Sequence, residues 1–381
     1  MKFEYRDYEL SNAIIDIAAG PFGSNLKVSC FTETGFPIID GANLKGITVT
    51  DNITKFVSED KARSLHRSIA KRRDIVVTIS GNVGQISYIP DNSQYAEYLC
   101  SQRQFRVTFD ESKIYVPYLV YYLHSVEGRS KILAFANQTG VPALSQPLKN
   151  FRKIKIDLPS LENQHKIADI LSTLDEKIAI NRAINDNLQQ QAMAIFDDMF
   201  PNISNGKNTI GDTITPKRGK SLLSKNAVFG KVPVVAGGLE PSTYHNIANT
   251  VAPVLAISAS GANAGYVSLW NVPIWSSDSS FIDTSMTDDV YFWYVLLKKR
   301  QNEIYDAQTG SAQPHIYPQH IAAMPIIDLS IDEVHNYTST VTPIFDIIGH
   351  NKDENSRLST LRDALLPKLM SGELDVSAVE L

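Results

Sequence analysis

Apolar residues recur at alternating steps of three and four along two stretches of the chain, and this spacing predicts two long helices. An apolar seam with a period near 3.5 residues is typical of helices that pair as a coiled coil. The seam of the first stretch contains Ile167, Leu171, Leu174, Ile178, Asn181, Asn185 and Leu188. The seam of the second contains Val341, Ile344, Ile348, Asn351, Asn355 and Leu358.

The second seam repeats the first at an offset of 170 residues, including the paired asparagines. This period is far longer than that of solenoid repeats and indicates an internal duplication. Upstream of each helix, Gln138-Thr139-Gly140 recurs as Gln308-Thr309-Gly310, and we interpret both as structural turns. Further back, Phe36–Gly41 resembles Val232–Gly237. The chain is therefore expected to repeat the order of domain and helix.

A second, less regular echo lies between these segments. Ile79-Ser80-Gly81 with Gly84 resembles Ile257-Ser258 with Ser260-Gly261 and Gly265. The spacings drift, which indicates one fold with diverged sequences. We predict four segments, which are a first globular domain, a first long helix, a second globular domain, and a second long helix with a tail, over residues 1–160, 161–200, 201–330 and 331–381.

The first helix would be roughly 55 Å long at 1.5 Å per residue. Each globular segment ends where a helix begins, so an antiparallel helix pair would place the two domains at opposite ends. Asparagine in a seam weakens such a pair but fixes its register. The four seam asparagines would form a central polar layer, or they would lie at an exposed edge; the pattern leaves both open.

Net charge differs between the segments. The whole chain carries −5, whereas residues 1–160 carry +4, residues 161–200 carry −4, residues 201–330 are neutral and residues 331–381 carry −5. A DNA duplex attracts Lys and Arg and repels carboxylates, so the two globular segments are the better DNA-facing candidates. Only Cys30 and Cys100 are present, and no run of eighteen apolar residues occurs. These features predict a cytoplasmic protein outside the membrane.

Several motifs together resemble the specificity subunits of type I restriction-modification systems. The most specific are DLPSLENQHKIADILSTLDEKI (157–178) and NSRLSTLRDALLPKLMSGELDV (355–376). Looser matches are GPFGSNLK (20–27), DIVVTISGNVG (74–84), IGDTITPKRGKS (210–221) and ISASGANAGYV (257–267). The second helix departs from the pattern at its start, where Ser330–His335 stands against Pro159–Gln164, so a degraded helix start is expected.

This resemblance implies an α+β fold with two small α/β target-recognition domains, two long helices packed as an antiparallel coiled coil, and a pseudo-twofold repeat. It implies a non-catalytic subunit that binds double-stranded DNA and two modification (methyltransferase) subunits. Whether two restriction (translocase and nuclease) subunits join the complex stays open. The chain itself is expected to hold no cofactor or metal, because S-adenosylmethionine would bind the modification subunit, and ATP and Mg²⁺ the restriction subunit.

Patterns that would make the chain an enzyme are weak. Gly219-Lys220-Ser221 ends like a phosphate-binding loop, but Ile214 stands where that loop needs glycine. Asp91 followed by Glu111-Ser112-Lys113 imitates the carboxylates and lysine of a metal-dependent nuclease, although a turn is the better interpretation of Asp91. The chain contains no Pro-Pro pair, which an adenine methyltransferase would be expected to carry.

Candidate DNA contacts are donors and amides on predicted loops, since these groups recognise phosphates and base edges. In the first domain they are Lys27, Lys45, Arg67, Arg72, Asn82, Gln85, Arg103 and Gln104. In the second domain they are Lys217, Arg218, Lys220, Tyr244, His245, Asn263, Gln313, His315 and Tyr317. Arg67 and Arg72 belong to a basic run, residues 61–73, for which a solvated helix face and phosphate contact are equally open.

Overall fold

Two long helices run through the structure, α5 (Leu161–Met199) and α10 (Ile331–Met370). The computed structural model describes residues 5–137, 142–310 and 313–376, so the predicted turn at residues 138–140 lies outside the described residues. The chain divides into a first unit, residues 1–176 with 358–381, and a second unit, residues 177–357. Each long helix contributes one end to each unit. The predicted α+β fold with two long, mutually packed helices is confirmed, whereas the predicted four-segment division stays a prediction.

Among the described residues, the first unit contains three sheets and four short α-helices. Its strands are β1 (Arg6–Glu9), β2 (Ile14–Ala19), β3 (Phe31–Thr32), β4 (Phe36–Ile39), β5 (Phe56–Val57), β6 (Ile69–Lys71), β7 (Ile75–Thr78), β8 (Ile86–Tyr88), β9 (Glu97–Cys100), β10 (Gln104–Phe109) and β11 (Lys155–Leu158). Its short helices are α1 (Glu59–Ser64), α2 (Val116–His124), α3 (Val126–Leu133) and α4 (Pro147–Arg152). The sheet orders are β1-β11, β2-β10-β7-β8 and β3-β5-β4-β9-β6.

The core of the first unit lies between the β2-β10-β7-β8 sheet and helices α2 and α5. β7 is a continuous buried run, Ile75–Thr78, as expected of a strand covered on both faces. Every residue of α2 except His124 is buried. Leu171 of α5 and Leu369 of α10 complete the same apolar cluster. Core packing in this unit therefore holds the N-terminal end of α5 and the C-terminal end of α10.

The second unit repeats this arrangement with fewer strands. Its strands are β12 (Asn208–Thr209), β13 (Lys217–Arg218), β14 (Val232–Val235), β15 (Thr243–His245), β16 (Val254–Ser258), β17 (Val267–Trp270), β18 (Trp275–Ser276), β19 (Ser279–Asp283) and β20 (Pro325–Ile326). Its short helices are α6 (Ile210–Thr213), α7 (Val290–Lys299), α8 (Gln301–Asp306) and α9 (Pro318–Ala322). The sheet orders are β12-β20, β13-β19-β16-β17 and β15-β14-β18.

The strand pairings show which elements of the two units correspond. β4 pairs in parallel with β9, and β14 pairs in parallel with β18; all other strand pairs are antiparallel among the described residues. The sequence echo between Phe36–Gly41 and Val232–Gly237 therefore marks equivalent strands. The four-stranded sheets correspond in the same way, with β10 and β19 each lying between two neighbours.

Both long helices begin with a serine cap. The Oγ of Ser160 accepts a hydrogen bond from the Asn163 amide (3.3 Å), and the Oγ of Ser330 accepts one from the Glu333 amide (3.4 Å). A capping serine satisfies an amide that the first helical turn leaves free. The expectation of a degraded start for the second helix is therefore wrong at the cap, because Ser330 corresponds to Ser160 and not to Pro159.

Within the second unit the two long helices meet antiparallel through amide side chains. Asn181 donates to the Oδ1 of Asn355 (3.0 Å), and Asn351 donates to the Oδ1 of Asn185 (2.8 Å). Asn181 is 1% exposed and also donates to Glu354 (2.6 Å). Buried amides that find these partners avoid the cost of desolvation without a hydrogen bond. The four amides form a polar layer in an otherwise apolar seam.

Each unit contains further contacts between the two long helices. In the second unit Phe196 of α5 and Phe200, which follows α5, pack against Tyr337 of α10, whose hydroxyl donates to the carbonyl of Ala192 (3.0 Å). In the first unit, Arg362 of α10 forms an ion pair with Asp175 of α5 (2.6 Å). Leu174 and Leu188 are half-buried seam positions, as are Ile344 and Leu358. In the described parts of the chain, no helix is both long and apolar enough to span a bilayer.

Candidate nucleic-acid interface

A cleft of about 670 Å³ opens in the first unit where three strands of its sheets begin or end. Asp40–Ala42 follow β4, the loop from Ser80 to Gln85 follows β7, and Ser101–Arg103 precede β10. Strand ends gather polar loop residues around a rigid sheet, which is the usual construction of a binding site. The cleft therefore lies at the ends of strands β4, β7 and β10.

Two glycines give the loop after β7 its shape. Gly81 has φ +89° and Gly84 has φ +79°, a region that L side chains rarely adopt. The carbonyl of Asn82 accepts a hydrogen bond from the Gln85 amide (3.3 Å), which closes the turn. The turn brings Asn82 and Gln85 into the cleft wall. The buried Oε1 of Gln85 has no hydrogen-bond partner among the residues that the structure describes.

The cleft carries more positive than negative charge. Lys55 donates to Asp40 (2.6 Å). Burial alone would raise the pKa of Asp40, but the hydrogen bonds from Lys55 and from the Ala42 amide outweigh it, so the pKa lies below its usual value. Lys45 and Arg103 also line the cleft and have no ion pair within the described ranges. Two unpaired cations beside one neutralised pair suit an anionic ligand.

The structure brings five of the eight first-domain candidates together in this cleft, namely Lys45, Asn82, Gln85, Arg103 and Gln104. Arg103 is exposed, whereas Gln104 begins β10 and is only 2% exposed. The side chain of Gln104 contacts Ser101 and Thr78 inside the unit. Gln104 therefore stiffens the cleft floor, and Arg103 faces outward at its rim.

The other three first-domain candidates lie elsewhere. Lys27, Arg67 and Arg72 are exposed and do not line the cleft. The guanidinium of Arg72 donates to the carbonyl of Ser93 (2.9 Å). The basic run at residues 61–73 does not form one helix face, since it passes from α1 through a 3-10 turn into β6.

Much of the charge of that basic run is already paired. Arg63 binds Glu59 (2.8 Å) and Glu97 (2.6 Å), and Arg73 binds Glu111 (2.5 Å). An ion pair that is already satisfied within the protein offers less to a phosphate than a free cation. Arg63, Lys71 and Arg73 of the run are therefore paired with carboxylates, whereas Lys61, Arg67 and Arg72 have no ion pair among the described residues.

The second unit has the equivalent loop, with Gly261 at φ +81° and Gly265 at φ +85°. Here Arg218 of β13 forms an ion pair with Asp278 (2.6 Å). Asn263 donates to the carbonyl of Gly237 (3.3 Å), the counterpart of Gly41. The structure thus places two of the second-domain candidates, Arg218 and Asn263, around the strand end that corresponds to the first-unit cleft.

Three further candidates, Gln313, His315 and Tyr317, lie on a segment that pairs with this loop through Ser260. His315 bridges Ser260 in backbone pairing, and its Nδ1 lies 2.7 Å from the carbonyl of Gln313. The rings of His315 and Tyr317 lie parallel, with centroids 6.0 Å apart. Tyr317 is 44% exposed and Gln313 is exposed. This segment exposes the ring of Tyr317 and the side-chain amide of Gln313 to solvent.

The remaining second-domain candidates divide by exposure. Lys217, Lys220 and Tyr244 are exposed. His245 is 6% exposed, its Nδ1 accepts a hydrogen bond from the Val228 amide (3.0 Å), and its ring packs edge-on against Trp275. This packing favours a structural role for His245 over contact with DNA.

The patterns that imitate enzyme motifs have structural roles. A Cβ at Gly219 would lie 2.5 Å from the carbonyl oxygen of Ser276, so Gly219 lets two strands approach and does not surround a phosphate. Arg73 forms ion pairs with both Asp91 (3.5 Å) and Glu111. Over residues 5–137, 142–310 and 313–376, no group of three metal-ligating side chains comes together.

Sequence reasoning missed two residues of these sites. Lys55 lines the first cleft, and its only signal is a charge complementary to Asp40, fifteen residues away along the chain. Asp278 was missed because no single offset aligns the two halves of the chain, and the sequence similarity had set Ser80 against Ser258. Backbone pairing instead aligns Ser80, which bridges Ala143, with Ser260, which bridges His315. Even alignment through Gly81 and Gly261, an offset of 180 residues, places Arg103 against Asp283 and not against Asp278.

Comparison with known proteins agrees with the residues quoted for the family resemblance. Residues 23–190 match the family model described as type I restriction modification DNA specificity domain. The type I restriction enzyme MjaIX specificity subunit of Methanocaldococcus jannaschii is 24% identical over 362 residues, covering 84% of this chain and 82% of the relative. The type I restriction enzyme HindI specificity subunit of Haemophilus influenzae is 22% identical, covering 58% of this chain and 69% of the relative.

The fold has a solved counterpart. The crystal structure of the type I restriction-modification system S subunit from M. genitalium aligns over 96% of both chains, with 20% identity and a TM-score of 0.61. At this identity the likeness concerns the fold. It extends beyond residues 23–190 to the second unit.

Proposed function

We propose that this chain is a specificity subunit of a type I restriction-modification system and that it reads a DNA site in two unlike halves. Each unit would read one half, through the cleft of the first unit and the equivalent strand end of the second. The paired helices would hold the two reading surfaces a fixed distance apart. A turn of the duplex is about 34 Å, so helices roughly 55 Å long suit half-sites one to two turns apart.

The observation that carries this proposal is the duplication of one loop in two different chemical settings. Both units place a two-glycine turn after corresponding strands, β7 in the first and β16 in the second, with φ between +79° and +89° at all four glycines. The side chains around the two turns differ, since Lys45 and Arg103 surround the first and Arg218 with Asp278 the second. Two loops with the same backbone shape and different surrounding side chains suit two half-sites of different sequence.

The chain is further proposed to be non-catalytic and to act in the cytoplasm. Two modification subunits would dock on the long helices and supply the adenine methylation, with S-adenosylmethionine bound to them. Two restriction subunits, with ATP and Mg²⁺, would complete an endonuclease. The neutralised carboxylates around Arg73 support the absence of a nuclease site at that place.

Mapping of methylated adenines after co-expression with the modification subunit tests the proposal. We expect methylation at sites made of two unlike half-sequences with a constant gap between them. The chain expressed alone is the control and should leave the DNA unmethylated. A single uninterrupted recognition sequence, or a palindromic one, would contradict the proposal.

A separate assay tests the non-catalytic assignment. The purified chain is incubated with duplex DNA and either S-adenosylmethionine or Mg²⁺. We expect neither methyl transfer nor cleavage above the level without protein. Methyl transfer by the chain alone would contradict this assignment but would leave the two-part reading of DNA standing.

A further inference from the structure

Arg103 and Asp278 occupy the same backbone position in the two units. The carbonyl of Arg103 accepts a hydrogen bond from the Ile79 amide (2.7 Å), and that of Asp278 accepts one from the Ala259 amide (3.1 Å). The next residue in each case begins the central strand and pairs with the last residue of its neighbour, Gln104 with Thr78 and Ser279 with Ser258. The duplicated fold therefore presents a guanidinium in one unit where it presents a carboxylate in the other.

The guanidinium of Arg103 is free to bind. The side chain is exposed at the rim of the cleft, and it has no ion pair or side-chain hydrogen bond within the described ranges. Its Nη1 lies 3.7 Å from the place where a Cβ of Gly81 would stand, so the glycine leaves the loop open beside it. The five donors of this guanidinium are available to an incoming ligand.

Asp278 is engaged within its own unit. It forms an ion pair with Arg218 (2.6 Å) and accepts a hydrogen bond from the Oγ of Ser260. Arg218 pairs with Ser280 in the sheet, where Ala19 pairs with Phe105 in the first unit. The second unit therefore takes its guanidinium from a neighbouring strand and fixes it with the carboxylate.

We infer that Arg103 is a specificity-determining residue that recognises a guanine of the half-site read by the first unit. Guanine presents two acceptors, O6 and N7, in the major groove, and the arginine fork donates to both. A carboxylate at the same backbone position would be repelled by these acceptors and by the phosphates. This inference rests on the proposed function, and it gives a reason why the two half-sites differ at corresponding base pairs.

The test compares wild type with Arg103→Ala and Arg103→Lys, each co-expressed with the modification subunit and assayed on a randomised duplex library. Arg103→Ala should lose discrimination at one base pair, by about tenfold to a hundredfold, while the other half-site stays unchanged. Arg103→Lys keeps the charge but lacks the fork, so it should retain methylation with weaker preference for that guanine. Arg129→Ala, an exposed arginine of α3 without an ion pair in the described chain, is the matched control.

Three outcomes overturn the inference. The inference is wrong if Arg103→Ala lowers methylation equally on every sequence, because that pattern belongs to a phosphate contact or a folding defect. The inference is also wrong if Arg103→Lys matches wild type in both methylation rate and sequence preference. An unchanged preference in Arg103→Ala overturns it as well. A wild-type complex without any two-part preference would instead reject the proposed function, and the inference with it.

Discussion

At the scale of single residues, glycine geometry and burial decide which side chains a ligand can reach. The four turn glycines hold the loops open, and only backbone conformations with positive φ produce this shape. Arg103 and His245 were both predicted to contact DNA because of the donors that they carry, yet Arg103 is exposed and His245 is only 6% exposed. Residue type alone could not separate them, because exposure depends on contacts such as that between His245 and Trp275.

The two glycines of the second loop should differ in their tolerance of alanine. Gly261→Ala meets nothing within 4 Å, so its cost is the positive φ alone, about 1–2 kcal/mol of unfolding free energy. Gly265→Ala would place Cβ 2.8 Å from Cγ2 of Ile304 and should cost about 1–3 kcal/mol more. Urea unfolding of both variants measures the difference. Equal losses would contradict the proposed crowding at Gly265.

His124 should make the first unit less stable in acid. Burial lowers its pKa below the ordinary value of 6.5 despite the hydrogen bond to the Ile86 carbonyl. As pH falls through 6.5, the unfolded chain gains a proton before the folded one, so the free energy of unfolding falls. The change reaches at most about 1.4 kcal/mol for each pH unit.

Comparison of wild type with His124→Gln between pH 7 and pH 5 isolates this contribution. The stability of wild type relative to the variant should fall as pH falls. His66→Gln, at an exposed position, is the control and should follow wild type. A constant difference between wild type and His124→Gln across this range would contradict the prediction.

At the scale of elements, the long helices could be predicted from the sequence because their apolar pattern is local and repeated. The seam residues recur every three or four positions, and each serine cap lies three residues from the amide that it binds. The sheets were not readable in the same way, since β4 pairs with β9 about sixty residues later along the chain. Such pairings are decided by the packing of the whole unit, and two-residue strands such as β5 carry almost no pattern of their own.

The amide layer should show measurable coupling between the helices. Asn351 donates to Asn185 at 2.8 Å within the second unit. A double-mutant cycle with Asn185→Ala and Asn351→Ala should give a coupling energy of about 0.5–1.5 kcal/mol in chemical unfolding. A cycle that pairs Asn351→Ala with the exposed Gln190→Ala is the control and should give none. Equal coupling in both cycles would show that the amides do not act as a pair.

At the scale of the whole molecule, the sequence predicted the duplication and the α+β fold, and comparison with known proteins supports both. The correspondence of individual site residues was harder to predict. The loop joining β9 to β10 contains one more residue than the loop joining β18 to β19, and this displaces Arg103 from Asp278 in any fixed-offset alignment. Only the backbone hydrogen bonds of Ile79 and Ala259 restore the match.

The central claim is that the helix pair sets the distance between two reading surfaces. Insertion of one heptad after Glu176 and one after Arg357 lengthens both helices at the limit between the two units. Seven residues add about 10.5 Å, or about three base pairs at 3.4 Å each. Methylation mapping should then find the same two half-sequences with a gap about three base pairs longer. An unchanged gap, or altered half-sequences, would contradict that claim.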